Sequence, residues 1–162
     1  MLASVVLLCT SLTAADIPGG WDELFPSLPN FGRKVEVPKV EKGEKPTAYS
    51  QSANYDWMGG RFEAFTITLA RDPQFKTQYA ADAMKKEKFE TLEVNKKTAY
   101  LWDLKPAKFN DLSRRLVVVL ADDKILIVEQ RGHGLDVADV AKKLDFDKVL
   151  KALENPPTVK AK

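Results

Sequence analysis

Residues 115–130 read RLVVVLADDKILIVEQ. Two apolar runs flank Asp122-Asp123, a pair whose side chains suit a tight turn. The reading is a β-hairpin, Arg115–Ala121 against Lys124–Gln130. The run LVVVLA is apolar at every position, so both of its faces must be covered and the strand lies inside a sheet.

The neighbours of that strand are found upstream. Phe89–Val94 and Lys97–Leu104 flank Asn95-Lys96, where asparagine tolerates the left-handed backbone of a tight turn. Tyr49–Trp57 and Arg61–Ala70 join through Gly59-Gly60, which supply positive φ at a hairpin tip. Between these hairpins, Asp72-Pro73 reads as a helix cap followed by proline at the first helical position. The helix is predicted to reach about Lys86 and to bury Phe75, Tyr79 and Ala83, with Ala80 and Met84 beside them. Residues 105–114 form a polar loop.

Downstream, Val137, Val140, Ala141 and Leu144 keep helical spacing behind Asp136, as do Phe146, Val149, Leu150 and Leu153 behind Asp145. The order is β-β-α-β-β-β-β-α. It predicts an α+β domain with a mostly antiparallel sheet of about six strands, built from three hairpins, with its helices packed on one face.

The remaining segments divide the chain. Residues 1–15, MLASVVLLCTSLTAA, carry no charge, and small residues at Thr13 and Ala15 suit a signal-peptidase site before Asp16. The stretch is shorter than the roughly 20 apolar residues that span a bilayer, so the mature chain is expected to have no transmembrane span. Cleavage there removes Cys9, the single cysteine, which suits an exported protein of the periplasm or the extracellular space. Residues 16–46 form a Pro-rich arm: Pro18, Pro26, Pro29, Pro38 and Pro46 disfavour regular helix and central strand. Within it Lys34–Lys45 reads as an extended linker. Trp21, Phe25 and Phe31 make the arm too apolar to leave in water, so it docks on its own domain or on a partner. Residues 47–155 make the single α+β domain, and a basic tail covers 156–162.

Composition narrows function by exclusion. The chain has 162 residues, 44% hydrophobic, with Lys+Arg 25 against Asp+Glu 23. A net charge of +2, evenly spread, gives no footprint for nucleic acid. One cysteine and one histidine rule out a disulfide framework, a thiolate zinc cluster or a site needing several imidazoles. The acids are scattered, so no metal site is expected. A phosphate-cradling glycine loop and a nucleophile-elbow serine are both missing, and no cofactor is expected. No motif names a family.

Two-residue turns fix strand registers and therefore faces. With Gly59-Gly60 as such a turn, Trp57 opposes Phe62 and Tyr55 opposes Ala64, on the face away from Phe65, Ile67 and Leu69. In the second hairpin Leu92, Val94, Ala99 and Leu101 share one face, and Phe89, Tyr100 and Trp102 the other. Pointing the aliphatic faces at the helices gathers Tyr55, Trp57, Phe62, Phe89, Tyr100 and Trp102 on the far face. A patch of that size needs a cover: the arm, a second subunit, an apolar small ligand or a protein partner. A second candidate is the turn RGHGLD, where Arg131 and His133 stand before the cap Asp136 and suit an anion or carboxylate. The reading is an exported, non-catalytic binding or scaffold module working through the aromatic face. The alternatives are a small metal-independent enzyme using Arg131, His133 and Asp136, and a structural envelope protein that self-associates as a homodimer.

Overall fold

A computed structural model describes residues 20–59, 63–85, 88–105, 108, 111–132 and 135–157. The expected signal peptide lies outside the described residues, as do Phe62, His133 and the tail from residue 158.

The hairpin at Asp122-Asp123 joins β7 (Leu112–Ala121) to β8 (Lys124–Gly132). Beside β7 lies β6 (Lys97–Asp103), paired in turn with β5 (Glu90–Val94). On the other side β8 pairs with β4 (Glu63–Arg71), and β4 with β3 (Tyr49–Trp57). With β1 (Phe31–Val35) outermost, the order is β1-β3-β4-β8-β7-β6-β5, a short β2 (Lys39–Val40) also pairs with β3, and every pairing is antiparallel. The LVVVLA strand is interior: Leu116, Val117 and Val118 are all buried although they alternate between faces.

Among the described residues eight strands stand where about six were expected. The additional two come from the arm. β1 (Phe31–Val35) pairs with residues 53–57 of β3, and β2 (Lys39–Val40) with Tyr49 and Ser50. The stretch from Lys34, expected as linker, therefore carries edge strand. Its prolines do not forbid this, because Pro38 and Pro46 fall between strands, where no ladder N–H is required.

The helices occupy both faces rather than one. α3 (Val137–Ala141) and α4 (Phe146–Ala152) cover the face of Phe65, Ile67, Leu69, Leu116 and Leu126, together with a 3-10 turn, Trp21–Leu24. Asp136 and Asp145 cap the two helices as the sequence predicts, accepting from Ala138 N and Lys148 N respectively. The helix expected after Pro73 is broken into α1 (Phe75–Gln78) and α2 (Ala81–Met84), which lie over the opposite face. Phe75 and Tyr79 reach the sheet there, against Ala70, Val117 and Ile125. A continuous helix would next present Ala83, too small to fill the space. The break exposes Ala83 and buries Met84 instead.

Candidate functional site

The first hairpin corrects the proposed aromatic face. Tyr55 pairs with Phe65, not Ala64, a register one residue away from the one a two-residue Gly59-Gly60 turn gives. A register change of one residue moves every side chain of a strand to the other face. Tyr55 is therefore 0% exposed in the main core, and Trp57 packs edge-on against Phe31. Phe62 lies outside the described residues.

The arm does fold back on its own domain, over this core face and not over the remaining aromatics. Trp21, Phe25, Leu28 and Phe31 are buried in the same cluster as Tyr55. Gln51 accepts from Trp21 N at 2.8 Å and donates to Asp22 at 2.9 Å. The Tyr55 hydroxyl donates to Pro26 O at 2.8 Å, and Arg33 donates to Phe25 O. Burial pushes the Tyr55 phenol up to about 12, although the nearby Arg33 works the other way.

The second hairpin has the faces its sequence predicts. Asn95 and Lys96 both have positive φ, so the turn holds two residues and Leu92 opposes Ala99. Phe89, Tyr100 and Trp102 gather on the face opposite the main core, with ring centroids 5.0 Å (Phe89–Tyr100), 5.6 Å (Phe89–Trp102) and 6.4 Å (Tyr100–Trp102) apart. Beside this cluster α1 and α2 stop short of covering the sheet. They leave a groove of about 170 Å³, walled by Tyr79, Met84, Trp102, Leu104 and Val117, with Arg115 at its rim. Arg115 stands opposite both Trp102 and Glu129 and donates to the Glu129 carboxylate.

Four of these wall residues lie outside the site that the sequence predicts: Tyr79 belongs to the expected helical stripe, Met84 stands beside it, Leu104 ends an expected strand and Val117 is part of the interior LVVVLA run. The signal for Arg115 is its register opposite Trp102, which needs the β6–β7 pairing.

The turn at Arg131 offers less. Arg131 is exposed and opposes Ala64; His133 lies outside the described residues. Asp136 is engaged in its helix cap and lies 3.4 Å from Arg114, which also meets Asp103 at 3.3 Å. These ions rim a second, wider cleft of about 560 Å³ between the β5–β6 hairpin and α3, floored by Leu92 and Leu101. Ser113 Oγ lies 3.0 Å from both the Gln130 and Gly132 carbonyls and holds the end of β8. Among the described residues no group of three or more His, Cys, Asp or Glu side chains could hold a metal ion. Nor is any described helix long and apolar enough to cross a membrane.

No protein-family model, curated protein or solved structure matches this chain.

Proposed function

We propose that the chain is an exported, non-catalytic binding or scaffold module, and that its contact surface is the groove beside Trp102. The observation that carries this is the groove's shape and lining. At about 170 Å³ it lies below the roughly 300–1,000 Å³ usual for small-molecule pockets. It is the size for an apolar side chain presented by a protein partner. Its walls combine Tyr79, Trp102 and Met84, residue types enriched at protein interfaces, with Leu104, Val117 and Gln78, while the Arg115 guanidinium at its edge is held by Glu129.

Photo-crosslinking from position 104, at the rim of the groove, tests this in an extract of the source organism. Leu104 is 39% exposed, so a probe there keeps the fold. A discrete adduct that disappears with Trp102→Ala supports the proposal. Adducts unchanged by Trp102→Ala and Tyr79→Ala sink it. An adduct twice the mass of the chain gives the groove to a second copy.

A further inference from the structure

We propose that a separate cavity, above the polar half of the same sheet face, binds a neutral polyhydroxy ligand: a hexose or short oligosaccharide. Away from the core β3 presents Ser50, Ser52 and Asn54, and β4 presents Thr66 and Thr68. These side chains are short, so they leave a trough. The connection between β1 and β2 walls it with Glu36 and Val37. The trough is about 350 Å³ and open to solvent on one side, a volume within the range of small-ligand sites.

The lining is built for hydroxyl groups. Serine, threonine and asparagine each donate and accept, as each hydroxyl of a sugar does. They are also held in place. Asn54 Nδ2 donates to Glu36 Oε1 at 2.9 Å, Thr66 Oγ1 donates to Asn54 Oδ1 at 3.0 Å, and Ser52 and Thr68 hydroxyls meet at 2.8 Å. Spare capacity remains, since an amide has two N–H groups and its oxygen two lone pairs.

Charge selects the class of ligand. The lining carries one carboxylate, Glu36, and one ammonium, Lys39. The two balance, so the cavity favours neither an anion nor a cation and is complementary to an uncharged ligand. A wholly apolar ligand would strip water from the hydroxyls without replacing its hydrogen bonds. Val37, 63% exposed at the rim, offers an apolar surface for the C–H face of a sugar ring.

The test is an NMR titration of the full chain with glucose, galactose and N-acetylglucosamine, with glycerol as the small-polyol control. At least one hexose should shift the Asn54 side-chain amide with a Kd of about 1 mM or tighter. Asn54→Ala should weaken that binding about tenfold. Val37→Lys should weaken it as well, and decides the matter should Asn54→Ala fail to fold. Trp102→Ala should leave the titration unchanged, which separates this site from the groove. Shifts no larger than those from glycerol overturn the proposal. So does binding that survives both cavity variants, or that Trp102→Ala removes.

Discussion

The hydroxyl of Tyr55, on a central stretch of β3, donates to the carbonyl of Pro26, 29 residues earlier in the chain. This bond ties the arm to the sheet from inside the core. Tyr55→Phe should cost about 1 kcal/mol in denaturant unfolding, the usual net worth of one hydrogen bond. The same residue sets an alkaline limit. Its folded value of about 12 stands above the ordinary 10.0, so its contribution is complete below pH 10 and fades as pH rises through 12. About 1.4 kcal/mol should be gone one unit above the ordinary value. The difference between wild type and Tyr55→Phe, measured at pH 9 and pH 11, isolates this loss.

At the opposite end of the sheet Asp123 receives Arg71 at 2.6 Å and Lys124 at 3.2 Å. Burial works against its charge, but these hydrogen bonds hold the carboxyl below its ordinary 3.8. A depressed acid stabilises the fold above its unfolded value and ceases to do so as pH falls through the folded one. Stability should therefore decline below about pH 4. Asp123→Asn should lower the plateau by about 1 kcal/mol and flatten that acid limb, as read by unfolding midpoints between pH 2 and pH 6.

Lys96 sits at φ 63 in the β5–β6 turn, a conformation that opposes its Cβ. Lys96→Gly creates an Asn-Gly turn and should stabilise by about 1 kcal/mol, seen as a raised Tm. An unchanged or lowered Tm would contradict the turn geometry.

Gly59 lies against the Trp57 indole: a Cβ built there falls 2.5 Å from Trp57 Nε1. Gly59→Ala must push the ring from its seat on Phe31, at a cost of about 1–2 kcal/mol. The emission of Trp57 should shift red as water reaches it, measured in a Trp21→Phe, Trp102→Phe background.

Much of this architecture was legible residue by residue. Asn95-Lys96 is a two-residue turn without irregularity, so its hairpin has the faces that alternation predicts. Asp122-Asp123 is also a two-residue turn, but a bulge between Val119 and Ala121 shifts the register by one and sets Leu126, not Ile127, opposite Val118. The helix caps Asp136 and Asp145 could be read because a cap is local chemistry. The first hairpin could not, since nothing in Met58–Gly60 says how many residues the loop takes. One residue more inverts Tyr55. The arm's strands were obscured by their prolines, which mark the gaps between strands and hide the pairing itself. Of the site, the cluster of Tyr100 and Trp102 was visible from strand periodicity alone. Its groove was not, because Tyr79, Met84 and Arg115 come from three elements joined only by tertiary packing.

The pairing of β4 with β8 joins residues 63–71 to 124–132, and Tyr49 donates to Leu153 O, 104 positions further along the chain. The sheet thus consists of two blocks, one from each half of the polypeptide, that meet along a single seam. Neither block closes the core by itself: the early one lacks its centre, and the late one lacks the arm. During synthesis, then, the first half waits with its apolar side bare until β8 and α4 (Phe146–Ala152) have followed it out of the ribosome. Non-local pairing of this kind is slow, so the interval before the seam closes is the one in which the bare apolar side can meet other chains.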